Sequence, residues 1–427
     1  MKIRAITIGQ RIPFLSDNKE LESSMSAKFD NFYHFNRELV QKFNDIGIEV
    51  QTKRTCSQPI ISYEHQVYEK NLNETLSRIH NQLGILEGLL NVYEIDYLAA
   101  CTLLADYQIL KYGIYEKLFL NEVPQFIKRR QKIFTSLHVA SSENGINLSA
   151  LKSGAKIIKN LSDPDPFNNL KFCISSNVNP DTPFFPAAYH LLEKPSFGLA
   201  LEMADEVVKV FEKSETLDDA QKNLRTRFNE IYENLVLICE EVGNKYQIDF
   251  NGIDFSPAPY PTAEKSIGTA FEKLGYEYFG SYGSLITVAL IKNSIPKRDK
   301  IIGFSGFMPS VLEDYTIANS LSDGKINLDT LLLYATMCGT GLDCVPLPGD
   351  ITEKELFYIL LDICTISIRL NKPLTARLMP IPGRSAGDEI NFDFEYFSSS
   401  KVMDIRRLTK SNQNDLFFRK ENSFKFI

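Results

Sequence analysis

The chain has 427 residues, 44% hydrophobic and 24% charged, an ordinary globular balance that can bury a large core without disulfide or metal staples. Its net charge of −7 argues against a nucleic-acid binder, and its one basic cluster, Lys128-Arg129-Arg130 with Lys132, reads as a solvated helix end before a strand. No run approaches roughly 18 apolar residues, MKIRAITIGQ lacks a signal-peptide core, and the scattered cysteines show no metal spacing, so a cytoplasmic protein with reduced thiols is expected.

In chain order, IRAITI (3–8) reads as a strand. Residues 23–44 place Phe29, Phe32, Phe35, Leu39, Val40 and Phe43 at helical spacing, with Gly47 as a C-cap. IEVQTKRT (48–55) is the next strand, which makes a β-α-β unit and predicts a parallel pair. A helix over 64–90, the apolar strand YLAACT (97–102) and a helix over 107–119 follow. FTSLHV (134–139) is a strand running into SSENGIN (141–147), where Asn147 or Ser149 can cap a helix over 148–161. Strands are expected at 171–176, 197–201, 248–255 and 374–379, with 301–303 strand-like. Helices are expected within 203–243 and at 263–274, 310–320, 327–337 and 353–370. About nine or ten strand candidates alternate with helices without a low-complexity linker, which favours one α/β domain over 1–400. Residues 401–427 form an expected polar tail.

Five polar segments follow strand candidates, where α/β sheets meet ligands. In SSENGIN, Glu143 and Asn144 exceed what helix capping requires. In NPDTPFFPAAYH (179–190), His190 is either a hydrogen-bonded structural residue or the best general acid/base of the five histidines. In GIDFSPAP (252–259), Asp254 ends an apolar strand beside Ser256, and a buried carboxylate needs a partner or a cation. The fourth segment, TMCGTGLDCVPLPGD (336–350), has three glycines and two prolines in fifteen residues and reads as a loop between helices. Gly339 and Gly341 allow close backbone approach, and their amides suit an anion. No GxxxxGK[ST] occurs, so no nucleotide motif is present. Cys338 is either a nucleophile or an apolar filler, Cys344 reads as core, and Asp343 needs a partner. In the fifth segment, Arg377 lies inside the strand TARLMPIPG. It either pairs with an internal acid such as Asp254 or Asp343, or clamps an anionic substrate. Arg384 reads as solvated.

Six of these pieces, MKIRAITIG, SSENGINLSA, NPDTPFFPAAYH, GIDFSPAPYPT, MCGTGLDCVPLPGD and RLMPIPGRSAGD, resemble in order and spacing the uncharacterised family called domain of unknown function 711. The resemblance runs from IRAITI to near GDEINFDF. It implies a fold similar to the pyruvate formate-lyase and anaerobic ribonucleotide reductase group. That fold is a ten-stranded α/β barrel of two parallel five-stranded half-sheets laid antiparallel, with helices outside. The radical enzymes of that group carry a glycine in an Arg-Val-x-Gly-Tyr type motif near the C-terminus. Residues 401–427 contain no glycine, so a glycyl radical mechanism is not expected, and Cys338 is not equated with their finger-loop cysteine. The family's activity is not established, so the resemblance brings no catalytic residue with it. Its bacterial members tend to accompany a small ACT-type regulatory protein, and no such module is visible in this chain.

The leading functional expectation is an enzyme acting on a small polar or anionic metabolite by non-radical acid/base chemistry in a central barrel pocket. Asp254, His190, Asp343 and Glu143 would line it, Arg377 would orient the substrate, and Asn144, Ser256 and the amides of Gly339 and Gly341 would contact it. A divalent cation on Asp254 and Asp343 is a variant. A second expectation is covalent catalysis by Cys338 with His190 or His138 as base. A third is a non-catalytic binding or regulatory protein. The expected partner is a small-molecule ligand, with no nucleic acid and no membrane, and a homo-oligomer is left open.

Overall fold

A computed structural model describes residues 1–14, 16–60, 72–106, 122–337, 339–409, 416–418 and 423–426. The chain opens with β1 (Lys2–Gly9), α1 (Asn18–Asp45) and β2 (Lys53–Cys56). Asp17 starts α1 by accepting a hydrogen bond from the Lys19 amide, and Phe29, Phe32, Phe35, Leu39 and Phe43 form its buried stripe. Burying those four phenylalanines contributes about 6–12 kcal/mol before ordering entropy is counted. β1 and β2 run parallel, with Ile6 opposite Lys53.

After α2 (Leu72–Val92) come β3 (Tyr97–Ala99), the short β4 (Leu103–Leu104), a helical segment α3 (122–129) and β5 (Ile133–Ser141). β6 (Gly145–Asn147) folds back on β5 as a hairpin, and α4 (Leu148–Leu161) follows, capped by the Asn147 side chain on the Ala150 amide. Next is β7 (Phe172–Ser176). β7, β5, β3, β2 and β1 lie side by side, all parallel.

At each end of this run, a parallel pair points the opposite way. β8 (Ser196–Glu202) is antiparallel to β1 and parallel to β9 (Asp249–Ala258). β11 (Leu374–Ile381) is antiparallel to β7 and parallel to β10 (Gly341–Pro348). The path β10-β11-β7-β5-β3-β2-β1-β8-β9 forms most of a 12-stranded mixed sheet. The sheet is accompanied by α5 (Ala204–Glu212), α6 (Leu217–Tyr246), α7 (Ile267–Lys273), α8 (Leu285–Ser294), α9 (Tyr315–Ser322), α10 (Leu328–Ala335) and α11 (Glu353–Leu370). The hydrogen-bonded ladder does not run continuously around a ten-stranded barrel, because β9 and β10 are its edges. The segment 301–310 touches both edges through isolated parallel bridges, Ile301 to Ile253 and Ser310 to Asp343. It makes no longer strand because Gly303 and Ser305, both at positive φ, turn the chain.

The loop expected over 336–350 is corrected by the structure. Residues 341–348 are β10, buried along their whole length. The glycine and proline content misled the sequence reading, because an edge strand tolerates prolines that a central strand would not. A register shift between Leu342 and Val345 marks a bulge at Asp343 and Cys344, and Cys344 has φ +46°. Gly341 has φ +93°, and a Cβ there would overlap the Thr375 carbonyl. Cys338, the helix expected over 107–119 and the start of the one expected over 64–90 lie outside the described residues. Beyond residue 400, Val402, Met403 and Ile405 are buried, and the Met403 amide donates to the Pro346 carbonyl at 2.9 Å. Among the described residues, no helix is long and apolar enough to cross a membrane.

Candidate functional site

Eight strand residues line one cavity: Arg4 (β1), Arg54 (β2), Tyr97 (β3), Phe134 (β5), Cys173 (β7), Asp343 (β10), Thr375 and Arg377 (β11). Its volume is about 90 Å³. At about 10–15 Å³ of such space per water, it has room for roughly six to nine waters, the scale of a small metabolite. Two loops complete the wall. Thr7 donates to the Pro183 carbonyl at 2.8 Å, fixing the segment that brings Phe184 and Phe185 to the cavity. The segment after Ile302 brings Phe304 and Met308.

The charged side chains form a row of alternating sign. Arg4 Nη1 lies 3.8 Å from Glu202 Oε2, and its Nη2 lies 3.1 Å from Glu313 Oε1. Arg377 Nη2 lies 3.5 Å from the same Glu313 oxygen. Arg377 then grips Asp343 with two parallel bonds, Nε to Oδ1 at 2.6 Å and Nη2 to Oδ2 at 2.9 Å. The bulge at Asp343 permits this grip by re-aiming its side chain within the strand. Burial works to raise the Asp343 carboxyl, but the charge and hydrogen bonds of Arg377 outweigh it and hold the group below its ordinary value. Glu313 itself is held in place by the next residue. Asp314 accepts bonds from the Ile267 and Gly268 amides at the start of α7 and from the Ile317 amide at the start of α9.

Arg54 differs from the other two arginines. Its Nε donates to Thr52 Oγ1 at 2.9 Å, and its guanidinium lies 5.7 Å from the Tyr97 ring centroid and 5.2 Å from that of Phe185. Among the described residues, no carboxylate pairs with it. Burial, and then the charge of Arg4, lower its pKa to about 10, so it remains a cation at neutral pH. The group is half-buried and borders the cavity. Glu313 Oε2 likewise accepts no hydrogen bond from a described residue, since Arg4 and Arg377 both approach Oε1.

The residues singled out from the sequence are distributed unevenly around this cavity. Asp343 and Arg377 come together on its wall. Asp254 does not border it. Asp254 Oδ1 accepts from the Ser256 amide, the Ser256 hydroxyl and the Ser305 amide, and Oδ2 accepts from the Phe304 amide. Asp254 and Ser256 therefore anchor the segment that presents Phe304, and burial lifts the Asp254 carboxyl to about 6. Gly339 packs against the same segment, where a Cβ would crowd the Phe304 carbonyl. His190 is fully buried beside Gly9, at the far end of β1 from Arg4, between Asp181 Oδ1 at 2.6 Å and the Lys194 carbonyl at 3.1 Å. Glu143 is exposed and Asn144 sits in the β5–β6 turn. His138 lies 3.4 Å from Ser175 Oγ and 3.7 Å from Asp106, away from the cavity wall, and burial lowers its pKa.

Sequence reasoning missed Arg4, Arg54 and Glu313. The signal that exposed Arg377, a cation inside a strand pattern, was equally present in IRAITI and in QTKRT. One group of described residues, Glu313, Asp343 and Cys344, has ligand atoms within 4.8 Å of one another, close enough to share a metal ion. Arg377 already supplies the positive charge there, and burial drives the Cys344 thiol well above its ordinary pKa.

The model of the family described as Uncharacterised ACR (DUF711) matches residues 1–400, so the chain belongs to that family. It is 32% identical over 286 residues to a UPF0210 protein of Pyrobaculum aerophilum, covering 64% of this chain and 62% of that one. A second relative, from Pyrobaculum arsenaticum, is 30% identical and is covered over 61% of its length. These matches span less than two thirds of either relative. A UPF0210 protein of Halothermothrix orenii is 24% identical over 433 residues, covering 96% of this chain and 92% of that one.

Proposed function

We propose that this DUF711 family member binds a small anionic metabolite in the cavity and acts on it as an enzyme by proton transfer. The observation that carries the reading is Arg54, a cation on the cavity wall with no carboxylate partner among the described residues. A buried charge of this kind is stabilised when a ligand supplies the missing anion. Glu313 Oε2 is the base, because it faces neither arginine and belongs to the cavity wall. Asp343 remains ionised and orients Arg377. The same reading takes the sheet to close around the cavity in the ten-stranded manner implied by the resemblance. The bridges from Ile301 and Ser310 to the two edge strands support that closure.

The test is calorimetric titration with a panel of small anions, followed by a search for products of each hit. Arg54→Met should abolish binding, whereas Glu313→Gln should retain binding and lose turnover. Hits whose affinity survives Arg54→Met would overturn the reading. Saturable Arg54-dependent binding without any product would leave a ligand receptor in place of the enzyme.

A further inference from the structure

We infer that the ligand is a monocarboxylate with an apolar body, a conclusion that rests on reading the cavity as an anion site. The first argument is charge balance. The cavity wall carries three cations, Arg4, Arg54 and Arg377, against two carboxylates, Glu313 and Asp343. Every cation but Arg54 has a carboxylate within ion-pair distance. One negative charge completes the set, whereas a dianion leaves a surplus of opposite sign in a poorly screened space.

The second argument is geometry. Thr52 occupies Arg54 Nε, so the edge left for a ligand is the Nη1/Nη2 pair. Two parallel N–H groups match the two oxygens of one carboxylate. Tyr97 and Phe185 lie against the guanidinium and fix its plane before a ligand arrives. The third argument is the rest of the wall. Phe134 packs on both of those rings, at 5.0 Å from Tyr97 and 5.5 Å from Phe185, and Phe184, Phe304 and Met308 continue the apolar surface. A body presenting apolar or aromatic surface matches it, and a second charged group does not.

Five probes decide the matter by calorimetry: benzoate, isovalerate, succinate, inorganic phosphate and benzamide. Benzoate or isovalerate should bind, with the other three weaker by about tenfold or more, the scale of one charge-assisted hydrogen bond. Arg54→Lys keeps the charge but loses the parallel pair, and should weaken the monocarboxylate by a similar factor. Tighter binding of phosphate or succinate, still dependent on Arg54, would overturn the monocarboxylate and leave the anion site standing. Binding of benzamide as tight as benzoate, or failure of all four anions, would overturn the anion site itself. Circular dichroism of Arg54→Lys and Arg54→Met confirms that each loss is read from a folded chain.

Discussion

Arg54→Met should stabilise the ligand-free protein while destroying its binding. The guanidinium pKa falls from its ordinary value to about 10 on folding, with burial as the first cause. A base with a lowered folded pKa carries its full penalty below that value and sheds it as pH rises toward the unfolded value. At pH 7 the penalty is therefore complete. At 1.36 kcal/mol per pKa unit it amounts to about 3 kcal/mol, which contact with cavity water reduces to about 2 kcal/mol. Methionine forfeits the two ring contacts, worth about 0.5–1 kcal/mol each, but fills the stem's volume without a charge. The net expectation is a gain of at most about 1 kcal/mol, read as a higher urea midpoint with an unchanged slope. The comparison belongs in ligand-free buffer, because bound anion would stabilise the native protein by mass action and mask the gain. Destabilisation by more than about 1 kcal/mol would refute the reasoning, since it would mean that Arg54 is already satisfied within the fold.

The remaining predictions concern the supports of the cavity. Asp343→Asn leaves the buried Arg377 with only the longer contact to Glu313 at 3.5 Å and should cost about 3 kcal/mol by urea denaturation, whereas Asp343→Leu combined with Arg377→Met should recover most of that loss. A double variant no more stable than Asp343→Asn would count against the pair. Asp254 and Asp314 are both lifted by burial from 3.8 to about 6. Between those values the native state holds protons that the unfolded chain has released, so each group makes stability decline as pH rises from about 4 to 6, by about 3 kcal/mol at most. Asp254→Asn should remove one such step from the pH profile of the urea midpoint, and an unchanged profile would contradict the assignment. Gly341→Ala should cost at least about 1–2 kcal/mol in the same assay, because it combines positive φ with overlap on the Thr375 carbonyl. A neutral Gly341→Ala would show that β10 can shift.

The parallel core of the sheet was legible because its signals are local. The periodicity of residues 23–44 and the apolar runs at 97–102 and 134–139 each declare an element within one continuous stretch of chain. The segment 336–350 failed for the opposite reason. Whether Pro346 and Pro348 lie in a loop or in a strand depends on β10 being an edge, and that is a property of the assembled sheet. The bulge at Asp343 is hidden in the same way, because it exists only in the register with β11.

The charged row follows the same logic and explains why the cavity was only half visible. Glu202, Arg4, Glu313, Arg377 and Asp343 come from widely separated parts of the chain, so no spacing links them. What the sequence does carry is each misfit alone, a charge inside an apolar strand that must find a partner elsewhere. Arg377 announced itself this way, and two partners were open to it, Asp254 and Asp343. The fold decides between them by occupancy: four donors from residues 256 and 304–305 already fill the Asp254 oxygens, while the bulge turns Asp343 toward the guanidinium. Arg54 sends the same signal, and the described fold offers it no carboxylate. A misfit that folding resolves is structure; Arg54, which folding sets against two aromatic rings on a cavity wall without a carboxylate, is the misfit on which the proposed anion site rests.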